Sequence, residues 1–128
     1  MTAFANYVLY LFMAAIVLTV FFVAYTRVTP FDEMLLIRQG NIAAALSLSG
    51  AMIGFSMTVA SCIFHTSSIV GFLSWSGGAL VVQLLAYAIS TRFLRISREH
   101  IESGNAAYGS VLAAISLSVG AINAACIS

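Results

Sequence analysis

Residues 26–45 read TRVTPFDEMLLIRQGNIAAA, a short charged stretch holding Arg27, Asp32, Glu33 and Arg38. On either side, residues 2–26 and 39–91 contain no Arg, Lys, Asp or Glu. The same arrangement returns at residues 91–109, TRFLRISREHIESGNAAYG, with Arg92, Arg95, Arg98, Glu99 and Glu102. Those two stretches hold all five arginines and all four acids of the 128-residue chain. Apolar runs broken only by charged turns describe helices that cross a membrane and loops that do not.

Composition agrees. The chain is 62% hydrophobic and 7% charged, where a soluble domain carries about 25% charged residues. Nine charges cannot cover a water-soluble surface. The net charge of +1 and the lack of a basic patch argue against nucleic acid. A spanning helix needs about 20 apolar residues, so residues 2–26 supply one span, 39–91 two and 103–128 a fourth. The predicted spans are 4–25, 42–63, 70–91 and 106–127, with a polar turn around His65, Thr66, Ser67, Ser68 and Gly71 between the middle pair. The runs are continuous, unlike the alternating segments of a transmembrane β-barrel. The expected fold is an all-α membrane protein, a single four-helix domain over residues 1–128. No basic region precedes the first span, so it reads as retained and not as a cleaved signal.

The positive-inside rule orients such a bundle. All five arginines fall in the loops at 26–40 and 92–104, which are therefore expected in the cytoplasm. Both termini are then expected in the periplasm of a bacterial inner membrane.

The two charged stretches also match each other. Ile37-Arg38-Gln39-Gly40-Asn41-Ile42-Ala43 aligns with Ile101-Glu102-Ser103-Gly104-Asn105-Ala106-Ala107 at an offset of 64. The same offset pairs Leu48 with Leu112, Cys62 with Cys126 and Ile63 with Ile127. A rival register pairs Leu46-Ser47-Leu48-Ser49 with Ile115-Ser116-Leu117-Ser118, but leaves the cysteines and the Gly-Asn pairs unexplained. The chain thus reads as two two-helix repeats, about 4–63 and 70–127, in parallel orientation. Parallel repeats are related by an axis along the membrane normal.

These residues resemble a known family. Asp32-Glu33, Gly40-Asn41-Ile42-Ala43-Ala44-Ala45, Gly50 and Gly54, together with Gly104-Asn105-Ala106-Ala107-Tyr108-Gly109 and Asn123-Ala124-Ala125-Cys126, look like the YjfL-like family of small bacterial inner-membrane proteins, domain of unknown function 350. The resemblance spans essentially the whole chain. It implies four helices with both ends outside and an association with envelope stress; it implies no catalytic residues.

Each polar residue has a structural and a functional reading. Asn41 and Asn105 open helices, so they suit N-caps or a pair of amides binding a polar ligand at the cytoplasmic mouth. Gln83, in the third span, and Asn123, near the outer end of the fourth, suit helix-to-helix hydrogen bonds or the lining of a polar path. Gly50 and Gly54, and Ser116, Gly120 and Ala124, form small-residue stripes that let helices approach closely. Spans two and four are therefore expected to form the inner seam. Spans one and three, with Phe12, Phe21, Phe22, Leu84 and Leu85, are expected to face lipid. Trp75, Tyr7 and Tyr10 suit the outer aromatic belt. Cys62 and Cys126, near the outer face, suit either a disulfide, if that face is oxidising and their Cα atoms lie within about 7 Å, or free thiols, the favoured reading. Asp32, Glu33, Glu99 and Glu102 read as solvated loop acids among arginines, with Glu33 marked out only by the resemblance.

No nucleophile or acid–base pair lies at membrane depth, and no metal-ligand constellation appears. The expectation is a non-enzymatic module without cofactors. It would bind a soluble cytoplasmic partner through Arg27, Arg38, Arg92, Arg95 and Arg98, or organise the bilayer, as a homo-oligomer, most simply a dimer. The alternative is a small oligomeric channel or transporter with a polar path near Gln83, Asn41 and Asn105.

Overall fold

Four long helices follow the four apolar runs. The computed structural model describes residues 2–29, 32–94 and 98–127, the side chain of Arg98 excepted. The long helices are α1 (Ala3–Val28), α3 (Ile42–His65), α4 (Ile69–Phe93) and α6 (Ala106–Ile127). Each is long and apolar enough to cross a membrane. At about 1.5 Å per residue, 22 to 26 residues reach across a hydrocarbon core of about 30 Å. Side chains cap their starts: Thr2 accepts from the Ala5 N–H, Asn41 from Ala44 and Ser68 from Gly71.

The charged stretches are more ordered than loops. Each folds into a short helix, α2 (Glu33–Arg38) and α5 (Arg98–Glu102). Both helices end in the same way. Gly40 at φ 83° and Gly104 at φ 78° adopt the left-handed conformation that glycine enters without a Cβ penalty. The Gly40 N–H then reaches the Ile37 carbonyl and the Asn41 N–H the Leu36 carbonyl; 64 residues on, Gly104 reaches Ile101 and Asn105 reaches His100. This is the Schellman closure of a helix C-terminus. Its residues are the Gly-Asn pairs that the sequence repeats.

The bundle is built around α3. Its buried residues run from Ala43 to Cys62 and lie on several sides of the helix, whereas α6 buries only Gly109, Leu112, Ser116 and Gly120. The two helices run parallel and almost backbone to backbone. A Cβ added to Gly50 would lie 2.5 Å from the Ala113 Cα, one on Gly54 2.4 Å from the Ser116 carbonyl oxygen, and one on Gly120 2.2 Å from the Gly54 carbonyl oxygen. Only glycine permits that approach. Hydroxyls then bond across the seam: Thr58 Oγ1 donates to the Gly120 carbonyl at 3.0 Å, and Ser61 Oγ to the Ala124 carbonyl at 2.6 Å.

The expected seam between spans two and four is thus present, but it is lopsided, because α6 presents much of its surface outward. Helix α4 packs against both α3 and α6, and α1 packs against α3 and α4. Phe12 and Leu85 are exposed, as expected of lipid-facing residues. Phe21 is not: it is fully buried and stacks on Phe55 with ring centroids 4.4 Å apart. The correction has a simple cause. In a helix that is apolar all round, composition does not mark which face turns inward. Tyr7 and Trp75 are exposed, while Tyr10 packs edge-on against Phe72 at 5.8 Å. Cys62 is buried, Cys126 is exposed, and both are free thiols.

Candidate functional site

The charged end of the bundle holds two polar constructions. The first joins the two Gly-Asn turns. Asn41 Oδ1 caps α3 through the Ala44 N–H at 3.0 Å, while its Nδ2 donates to the carbonyls of Ile101 at 2.8 Å and Glu102 at 3.2 Å. One side chain therefore starts α3 and ties it to the end of α5. Asn105 accepts from the Ala107 N–H at 3.1 Å and, among the described residues, caps only its own helix. A shallow polar cleft of about 250 Å³ lies over this junction, lined by Gln39, Gly40, Asn41, Glu102, Ser103 and Gly104. The two asparagines are thus unequal, one a cap and cross-tie, the other a cap.

The second construction lies beneath α2. Glu33 is 2% exposed, so the reading of it as a solvated loop acid is overturned. The α2 helix docks with Glu33 and Leu36 inward and leaves Met34, Leu35 and Arg38 outside. Glu33 Oε1 is hydrogen-bonded to the Thr29 hydroxyl. Its Oε2 is buried with no partner among the described residues. Burial, reinforced by the neighbouring charge of Asp32 and opposed by the Thr29 hydrogen bond, raises the carboxyl to a pKa of about 7. Tyr25 of α1 and Tyr87 of α4 lie within reach of its charge. Their rings meet edge-on at 5.1 Å, and the Tyr25 hydroxyl bonds Ser47 of α3 at 2.7 Å. Sequence reasoning passed over Tyr25, Thr29 and Tyr87. The available signal was a tyrosine inside an apolar span, since a buried phenol hydroxyl needs a partner.

Deeper in the bundle, the inner face of α4 carries Phe72, Ser76, Ala79, Gln83 and Tyr87. Gln83 is 3% exposed, and its Nε2 donates to the Ser116 carbonyl of α6 at 2.9 Å. The amide oxygen of Gln83 is buried without a partner among the described residues, and the buried Ser76 hydroxyl lies within reach of the Cys62 thiol of α3. Asn123 Nδ2 contacts the Ala79 carbonyl at 3.4 Å, a weak second tie between α6 and α4. Gln83 and Asn123 thus both bind a carbonyl of the helix opposite.

Arg27, Arg38 and Arg92 are exposed at the charged end. Arg95 and the Arg98 side chain lie outside the described residues. His100 stacks on Tyr108 with centroids 4.0 Å apart, anchoring α5 to α6. Among the described residues, no three His, Cys, Asp or Glu side chains gather as a metal site.

Comparison with known proteins places this architecture. The family model described as Domain of Unknown Function (DUF350) matches residues 1–127. The chain is 33% identical to the inner membrane protein YjfL of Escherichia coli strain K12 over 119 residues, 93% of this chain and 90% of that protein. It is 28% identical to the transmembrane protein YshE of Bacillus subtilis strain 168 over 120 residues, 91% of this chain and 88% of that one. No solved structure matches it. A match from end to end, over four helices of membrane-crossing length, makes the chain a membrane protein of the DUF350 family.

Proposed function

We propose that the chain is a non-enzymatic module of the bacterial inner membrane, with both termini in the periplasm, that offers its charged face to a soluble cytoplasmic partner and acts as a homo-oligomer. One observation carries this reading. The polar side chains that a pore would need are engaged in holding helices together: Gln83 on Ser116, Asn41 on Ile101 and Glu102, Thr58 on Gly120, Ser61 on Ala124. What remains free to meet another molecule is the end bearing Arg27, Arg38 and Arg92. The relatives named as inner membrane and transmembrane proteins support the location.

The twin Schellman turns and the parallel α3–α6 pairing support a two-unit construction from a duplicated helix pair, about 4–63 and 70–127. Gly77 and Gly78 on the outer side of α4 have no atom within 4 Å of a Cβ built there. Such bare backbone suits close approach of a second copy, in a dimer as the simplest closed assembly.

A second reading, permeation, has its own support in the unpartnered Gln83 oxygen on the inner face of α4. Two assays separate the readings. A photo-crosslinking side chain at Gln39 or Ser103 should trap a cytoplasmic protein in cells, while one at Ser67, at the opposite end, should not. Proteoliposomes should show no cation flux above empty vesicles. Flux that Gln83→Leu abolishes, with no adduct from the charged end, reverses the choice.

A further inference from the structure

We propose that Glu33 is a proton-binding site, that its carboxyl carries a proton when α2 is docked, and that losing the proton releases α2 from the bundle. The inference does not depend on the partner reading. The Thr26 carbonyl, near the end of α1, would ordinarily be bonded by the N–H four residues on, but that residue is Pro30, which has none. The Thr29 hydroxyl stands in as its donor, at 3.2 Å. A hydroxyl has one hydrogen to give. Thr29 Oγ1 also lies in hydrogen-bond contact with Glu33 Oε1. That one hydrogen cannot serve both contacts: given to Glu33 Oε1 it leaves the Thr26 carbonyl without a donor, whereas a protonated Glu33 donating to Thr29 Oγ1 lets both be made.

The surroundings agree. The described groups acting on the carboxyl are Asp32 beside it, Tyr25 from α1 and Tyr87 from α4. None carries a compensating positive charge. From α3 comes the uncharged Ser47, engaged with Tyr25. Arg27, Arg38 and Arg92 are exposed. An ionised carboxylate here would bury a charge with one oxygen unpartnered, which is costly. Docking also rests on few contacts: α2 buries Glu33 and Leu36 and packs Ile37 half-buried against the core.

The sign of the linkage follows. Undocked and solvated, the carboxyl titrates near its ordinary value of 4.5; docked, it is raised to about 7. Docking is therefore fully favoured below pH 4.5. Between pH 4.5 and about 7 it weakens by roughly tenfold per pH unit, and above that it levels off. The site is poised where small changes around neutrality change its occupancy.

Two measurements test it on the purified full-length protein in liposomes. Infrared spectra between pH 4 and 9 should show a carboxylic-acid band that fades with a midpoint near 7 and is missing in Glu33→Gln. The protection of amides 33–38, their exchange taken relative to the intrinsic rate at each pH, should fall across the same interval in the wild type. It should stay high at every pH in Glu33→Gln, whose neutral amide keeps the shape and can donate to Thr29. Absence of the band above pH 5.5 overturns the proton site. A titrating band with α2 protection indifferent to pH overturns the release step, as does low protection of Glu33→Gln at all pH values.

Discussion

A single hydrogen-sized gap decides whether α3 and α6 can pair. Gly120 sits with its Cα against the Gly54 backbone, where an added methyl would lie 2.2 Å from the Gly54 carbonyl oxygen and 2.5 Å from its Cα. The atoms in the way are backbone, so no rotamer change relieves the clash, and the helices must separate. Separation also breaks the hydrogen bonds of Thr58 and Ser61 on the same seam. Gly120→Ala and Gly54→Ala are therefore expected to lower the detergent melting temperature sharply, while Gly77→Ala, facing open space, should leave it level or slightly higher, since alanine is the better helix former. Equal melting of all three would refute the contact. These glycines were legible in the sequence as small-residue stripes, because spacing alone reveals them. Phe21 was not, because a helix flanked by lipid on one side and protein on the other is apolar on both. Glu33 was misread for the converse reason: charge in a loop implies water, and only the packing shows that α2 turns this one acid inward beside Leu36.

At the level of elements, the informative pair is α2 and α5. Both were expected as loops, since helices of six and five residues are too short to display a period and marginal in isolation. What stabilises them is shared: a left-handed glycine that closes the turn, and contacts to the long helices. The pair is also where the two halves differ. Asn41 caps α3 and in addition holds α5 through two carbonyls; Asn105 caps α6 alone. Comparing the two removes the common part. Loss of an N-cap costs about 1 kcal/mol, so Asn105→Ala should destabilise by about that much. Asn41→Ala should cost about 1 kcal/mol more, one net hydrogen bond's worth. It alone should speed hydrogen exchange in residues 98–102. The measurement is thermal unfolding with local exchange by mass spectrometry; equal effects of the two substitutions would mean that the cross-tie contributes nothing. The sequence repeat made the caps legible and concealed this asymmetry, since identical residues predicted identical roles.

For the whole molecule, the governing fact is that every fixed charge belongs to α2, α5 and their flanks, at one end. The turn between α3 and α4 has none. Arginine at the centre of a spanning helix costs about 2.5–3.5 kcal/mol on insertion scales, so these side chains hold their loops at the interface and do not drift inward. Five arginines against none is as strong a bias as a chain of this length can carry, and it predicts one orientation, not a mixture. Labelling tests this directly. In a background with Cys62→Ala and Cys126→Ala, single cysteines are placed at three exposed sites, Gln39→Cys, Ser103→Cys and Ser67→Cys. A membrane-impermeant maleimide applied to spheroplasts should label the Ser67 variant at once, and the other two only after lysis. The inverse pattern would put the charged end outside, and with it Glu33. Partial labelling of all three would mean dual insertion, which a five-to-none arginine bias does not allow. With the predicted pattern, the buried carboxyl under α2 senses the proton concentration of the cytoplasm. A cytosolic pH shift imposed on intact cells should then change the maleimide reactivity of a cysteine at Leu36, buried under docked α2, when a permeant reagent is used, whereas a shift of the external pH should not.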